Sequence, residues 1–259
     1  MSFLERRLIT RGYELDREGV IPPAALLRYM EHVRWACLED STLQLSRLFL
    51  NGHFMVVAAQ SLQREQELGH HTELSATLGI GHVGRSSFAF RHLFRRTSDD
   101  VVVARGSVTV VYLSPQGRSM PLPEEVAGPV RELTEDAWED GGELVVPQPP
   151  RTPPPSDAWT HALTVRPSDL DVLRHVNHAT YLTYFEDARA LCAAAGGYGA
   201  PGQGAGRVRA LTIEYLQQAT QSEAVVVETW LQQDGVACFV LRRVADAQAV
   251  CRAALALRG

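Results

Sequence analysis

LDVLRHVNHATYLTYFEDARALC, Leu170 to Cys192, lies without a gap over LDREGVIPPAALLRYMEHVRWAC, Leu15 to Cys37. Leu15, Asp16, Ala24, Leu27, Tyr29, Glu31, Arg34 and Cys37 meet Leu170, Asp171, Ala179, Leu182, Tyr184, Glu186, Arg189 and Cys192. Eight identities in 23 positions exceed the roughly one or two that residue frequencies give by chance. The chain therefore reads as two diverged copies of one unit.

Working outward, each block reads as a short strand or loop entering a helix. Leu182, Phe185, Ala188 and Cys192 recur at helical spacing, which predicts one buried face. Strand-like runs follow both blocks: MVVAAQSL, ELSATLGIGHV, SSFAFRHLFRR and VVVARGSVTVVYL after the first, RVRALTIEYL, AVVVETWL, VACFVLRRV and AVCRAALALR after the second. In SFAFRHLF, Phe88, Phe90, His92 and Phe94 alternate with Ala89, Arg91, Leu93 and Arg95, the period of a half-buried strand. One helix followed by several antiparallel strands, done twice, is an α+β architecture.

Composition shifts between Ser114 and Asp157, where SPQGRSMPLPEEVAGPV leads through an acidic stretch to PQPPRTPPP. Proline at that density removes backbone donors, so the segment reads as an extended spacer. The expected units are 1–123 and 158–259, joined by an acidic and proline-rich linker over 124–157.

A length of 259 residues with 45% hydrophobic and 21% charged content suits a globular protein with a real core. The net charge of -5 gives no global reason to expect nucleic-acid binding. The N-terminus reaches charge within five residues, without the apolar stretch of a secretory signal. No run approaches the roughly 18 apolar residues of a membrane span. Cys37, Cys192, Cys238 and Cys251 are scattered without metal-ligand spacing. Buried thiols in a reduced, cytoplasmic setting are the expectation, with no metal and no membrane or nucleic-acid partner.

RPSDLDVLRHVNHATYLTYFEDAR, Arg166 to Arg189, carries the chemistry. The run resembles the hot-dog thioesterases, in which a central helix is wrapped by an antiparallel sheet, and in particular the DxD…HVN…Y signature of acyl-carrier-protein and 4-hydroxybenzoyl-CoA thioesterases. Asp171, His175, Asn177 and Tyr181 match it in order and distance. The resemblance implies a double hot-dog fold and an acyl-thioester hydrolase with no cofactor of its own. Its substrate would be carried on CoA or on an acyl carrier protein. The tandem copies would form an internal pseudo-dimer in a monomer or a homo-oligomer.

Thioester hydrolysis needs an activated water or an acyl-enzyme, and a donor for the oxyanion. Asp171 is the expected base or nucleophile, with His175 orienting water or moving a proton. Asn177, Tyr181 and Gln218 are candidate substrate contacts, although Asn177 also suits a helix cap, Tyr181 the core, and Asp171 a turn. Amides at the helix start, Val176 to His178, are expected to be free for the oxyanion. Glu186 and Arg189 read as an architectural ion pair or helix-end contact.

Two positions depart from the plant-type enzymes. Leu173 stands where they place an asparagine, and Gln218 where they place an acidic residue on the following strand. The first copy reads as non-catalytic, because Val20 replaces His175 and Pro22 and Pro23 replace Asn177 and His178, removing amide donors. Gly196 to Gly206 contains a GxGxG run but follows a helix, the reverse of a dinucleotide loop, and reads as a flexible connection. Arg91, Arg95, Arg96, Arg242 and Arg243 read as solvated strand-face residues, with contact to CoA phosphates or to an acidic carrier protein as the alternative. Two other functions remain open at this point: a hot-dog dehydratase or hydratase acting on acyl thioesters, and a non-enzymatic acyl-binding module.

Overall fold

A computed structural model describes residues 4–38, 52–134, 138, 140 and 142–258; the side chain of Cys37 lies outside the described residues. The chain divides into two compact units, Met1–Leu144 and Val145–Gly259.

The first unit runs β1 (Leu4–Ile9), α1 (Pro23–Leu38), β2 (Phe54–Arg64), β3 (Glu73–Val83), β4 (Ser87–Arg96), β5 (Val102–Leu113) and α2 (Glu124–Glu132). Its strands pair antiparallel in the order β1-β3-β4-β5-β2. The second unit runs β6 (Trp159–Thr164), α3 (His178–Ala194), β7 (Val208–Tyr215), β8 (Ala224–Leu231), β9 (Val236–Arg243) and β10 (Ala249–Leu257). Its order, β6-β8-β9-β10-β7, repeats the first position by position.

Each helix lies against its own sheet because both are apolar on one face. Leu26, Leu27, Met30 and Val33 of α1 are buried, as are Phe88, Phe90, His92 and Phe94 of β4. In the second unit Phe185 of α3 meets Phe239 of β9 with ring centroids 5.2 Å apart. Gly106 of β5 is required by the approach of α1: a Cβ there would stand 2.5 Å from Sδ of Met30.

The structure adds a leading strand to each unit that the sequence pattern does not announce. β1 carries three exposed residues in a row after Leu4, and β6 alternates without burying any side chain fully, so neither shows the strong period of an inner strand. The predicted extended spacer also contains a helix. Val126, Ala127 and Val130 of α2 are buried, and α2 packs on β3; burying that stripe outweighs the proline-rich surroundings.

Cys192, Cys238 and Cys251 are free and buried, and burial raises all three thiol pKa values. Among the described residues no helix is long and apolar enough to cross a membrane.

Candidate active site

Both units enter their helix through the same turn. In the second, the Asp171 amide donates to the His175 carbonyl (2.9 Å) and the Arg174 amide to the Asp171 carbonyl (3.0 Å). Oδ1 of Asp171 accepts from the amides of Leu173 (2.8 Å) and His175 (3.3 Å). In the first, the Asp16 amide donates to the Val20 carbonyl (2.8 Å), the Gly19 amide to the Asp16 carbonyl (3.0 Å), and Oδ1 accepts from Glu18 and Val20 at 3.0 Å each. A short side chain with an acceptor oxygen is what such a turn selects.

One oxygen of Asp171 is therefore committed to the turn. Among the described residues Oδ2 has no hydrogen-bond partner, and the carboxylate is half-buried. His175 reaches Asp171 through its backbone amide rather than its ring, and the half-buried imidazole is unpartnered among the described residues.

The expectation of free amides at Val176 to His178 does not hold for the first two. The Val176 amide donates to the Ala219 carbonyl (3.0 Å) and the Asn177 amide to the Asp169 carbonyl (2.9 Å). The chain that enters α3 is pinned on both sides before the helix begins, which consumes donors that an isolated helix would leave unsatisfied. Asn177 caps α3, its Oδ1 accepting from the Ala179 amide at 3.0 Å. The His178 ring packs edge-on against Tyr215, centroids 5.1 Å apart, and Tyr215 donates to the His178 carbonyl at 3.1 Å.

Tyr181 is buried at 3% exposure, and its hydroxyl oxygen accepts from the Ala219 amide at 3.1 Å. Gln218 lies beyond the end of β7 with its side chain exposed, so it is not on the strand where the resemblance set it. Its carbonyl accepts from Arg243 (2.8 Å), which also holds Glu223 (3.2 Å), Gln217 (3.2 Å) and Asp246 (2.9 Å). Arg243 so clamps the turn on which Thr220 bridges to His175. Arg95, Arg96 and Arg242 likewise engage Asp100, Asp99 and Glu228, and Arg91 lies over the Trp138 ring, so these side chains are engaged rather than freely solvated.

Sequence reading missed one structural constellation. Asp169, 4% exposed, takes Arg166 at 3.0 Å and the Tyr184 hydroxyl at 2.7 Å. Burial alone would raise its pKa, but the Arg166 and Tyr184 hydrogen bonds pull it below the usual carboxylate value. Glu14 repeats the arrangement with Arg11 and Tyr29. The signal lay just outside the aligned block: arginine, then an acid three residues on, then the tyrosine shared by both copies.

Arg189 makes no ordinary helix-end contact. It donates to the carbonyls of Gly204 (2.6 Å) and Gly206 (2.9 Å), tying the glycine-rich segment to α3. Tyr198 in that segment is buried and hydrogen-bonded to Thr229 at 2.7 Å. Arg189 and Tyr198 thus anchor a segment most of whose other residues are exposed. Among the described residues no group of three or more His, Cys, Asp or Glu is placed to hold a metal ion.

The profile of the thioesterase-like superfamily matches residues 11–130, and that of the thioesterase superfamily matches residues 173–242. The chain belongs to the thioesterase superfamily. Membership places it among the thioester hydrolases. Comparison with curated proteins by sequence found no match. Among solved structures, the 12:0-ACP thioesterase from Umbellularia californica is similar with a TM-score of 0.79 at 18% identity, over 98% of this chain and 96% of that one. An acyl-ACP thioesterase from Bacteroides thetaiotaomicron gives 0.77 at 12% identity, over 98% and 97%. At these identities the likeness concerns fold: the chain is a tandem, double hot-dog member of the superfamily.

Proposed function

We propose that this thioesterase hydrolyses acyl groups carried as thioesters on CoA or an acyl carrier protein, and that the second unit performs the reaction. The observation that carries the assignment is that the second unit alone follows its turn carboxylate, Asp171, with an imidazole unpartnered among the described residues, His175, where the first unit has Val20. Two amides hold Oδ1 and thereby fix the carboxylate, while Oδ2 is left to act.

In this reading Oδ2 of Asp171 takes a proton from water as the water oxygen adds to the thioester carbon, or adds to that carbon itself. On the first route the carbon–sulfur bond then breaks and the thiolate leaves with the proton that Asp171 took. On the second the thiolate leaves an acyl anhydride on Asp171, which water cleaves to the free acid and the carboxylate, one proton of the water going to the thiolate. With the Val176 and Asn177 amides engaged, the imidazole of His175 is the donor best suited to meet the negative charge that builds on the carbonyl oxygen. Asn177 supports the site by capping α3, Tyr181 by bracing Ala219, and Arg243 by holding the turn behind His175. Gln218, exposed beyond β7, is left as a substrate contact at the rim.

The first unit is a scaffold in this reading. Asp16 makes the same turn, but Val20 has no proton to give.

The test is to offer the purified protein a panel of acyl-CoA and acyl-carrier thioesters and follow thiol release together with enoyl and hydroxyacyl products. Thiol release that disappears in Asp171→Asn supports the reading. Interconversion of enoyl and hydroxyacyl groups with the thioester intact would sink it.

A further inference from the structure

The two homologous turns share every backbone hydrogen bond yet present different side chains. In the first unit the three residues after the aspartate are Arg17, Glu18 and Gly19, all exposed, with Arg17 and Glu18 ion-paired at 2.7 Å. In the second they are Val172, Leu173 and Arg174. Val172 is 86% and Leu173 67% exposed. The turn does not need aliphatic residues there, because Arg17 and Glu18 build the same turn, and water disfavours them.

Arg174 adds a second anomaly. Its φ is 62°, in the left-handed region, where the first unit places Gly19 at 77°. A Cβ in that conformation crowds the backbone, and glycine relieves it. The second copy therefore keeps an arginine where its own fold is better served by glycine. Among the described residues its exposed guanidinium has no partner. Strain held at an exposed position beside a half-buried carboxylate points to function.

We infer that Val172, Leu173 and Arg174 form the lip that binds the phosphopantetheine arm of the thioester, the aliphatic pair against its dimethyl carbon and Arg174 on its phosphate. This rests on the reading of Asp171 as the catalytic carboxylate. The carbonyl must reach half-buried Asp171, and the arm behind it must leave outward past the exposed residues that follow. In the arm the dimethyl carbon sits one methylene from the phosphate oxygen. A pair of aliphatic side chains followed at once by an unpaired guanidinium has the same order of apolar and charged chemistry.

CoA and carrier proteins share this arm, so the probe is the arm itself. Calorimetric titration of the full chain with 4′-phosphopantetheine and with pantetheine gives an affinity ratio that isolates the phosphate. The wild-type ratio should favour the phosphate about ten-fold, the effect of one charge-assisted hydrogen bond, and should shrink as salt is raised. Arg174→Gly, which restores the residue used by the first copy and so keeps the turn, should bring the ratio close to one. Val172→Arg with Leu173→Glu should weaken pantetheine itself several-fold.

A ratio unchanged by Arg174→Gly overturns the proposal. Loss confined to CoA would move the contact to its nucleotide, and loss confined to a holo-carrier protein would move it to that protein's surface; either also overturns it. Because neither probe is a thioester, binding at the lip is read independently of hydrolysis. A lip that binds as described, in a protein that cleaves no thioester, would remove the hydrolytic reading alone.

Discussion

Asp16 and Asp171 hold the same turn with the same pair of amide hydrogen bonds, from the second and fourth residues after each. Their identity across the two copies is therefore accounted for by the turn and carries no information about catalysis. What separates them is their surroundings: Val20 and two prolines in one unit, His175, Asn177 and His178 in the other.

The first prediction uses that separation. Asparagine keeps an oxygen for the turn but removes the basic one, so Asp171→Asn should lower turnover at least the roughly 100-fold typical of losing a general base. Asp16→Asn should leave turnover close to that of the parent. Both variants should melt near the parent temperature. Equal activity losses in two folded variants would place the working carboxylate elsewhere.

The complementary substitution reads the turn. Asp16→Ala and Asp171→Ala each strip the acceptor from two amides, and each should cost about 0.5–2 kcal/mol by denaturant unfolding. The two costs should be similar even though the activities differ. A stability loss confined to one copy would show that the shared geometry is not shared energetically.

Asp169 supplies an acid limb to stability. Its pKa in the folded state is depressed, against its own burial, by Arg166 and Tyr184, so its contribution is present above the unfolded value of about 3.9 and is lost as pH falls through the folded one. Asp169→Asn should flatten the stability profile below about pH 4. Tyr184→Phe removes one hydrogen bond to the charged carboxylate and should cost about 1–3 kcal/mol at neutral pH. A profile in Asp169→Asn that keeps its acid slope would assign that slope to other carboxylates.

α1, α3 and the eight strands that follow them are legible because their apolar periods are strong, and the two-copy architecture because Leu15 to Cys37 aligns on Leu170 to Cys192. β1 and β6 escape notice as edge strands whose side chains stay largely in solvent. The position of Asp171 is legible, but not which of its oxygens is engaged. Nor does the block predict that the Val176 and Asn177 amides find carbonyls on Ala219 and Asp169. Helix-start donors look free in a sequence because their partners lie in other segments. Gln218 shows the same limit: the resemblance sets it on the strand of Glu214, but β7 ends at Tyr215.

Arg189 gives a prediction about local order. Its two bonds to Gly204 and Gly206 fasten a segment whose Gly196, Gly199, Gly202 and Gly204 all have positive φ. Arg189→Ala should raise amide hydrogen exchange across 196–206 well above that in β7, because the segment then opens without global unfolding. Uniform exchange changes throughout the unit would mean that Arg189 stabilises the helix as a whole.

His92 makes the last prediction. It is fully buried on β4, and its Nε2 lies 3.1 Å from the carbonyl of Met30, so Nε2 carries a proton and donates it. Burial, and then the charge of Arg34, push its pKa well below the ordinary value. In the unfolded chain the same ring binds a proton near pH 6.5. Below that pH the unfolded state holds a proton that the folded state refuses, so stability falls as pH drops, by at most about 1.4 kcal/mol per pH unit, until the folded pKa is reached. His92→Leu removes the titrating group while staying apolar beside Phe94 and Met30. Measured by urea unfolding between pH 7 and pH 5, its stability should depend on pH less steeply than the parent's, even if its value at pH 7 is lower through the lost bond to Met30. Parallel profiles for parent and variant would show that the slope over this range comes from the other histidines and not from His92.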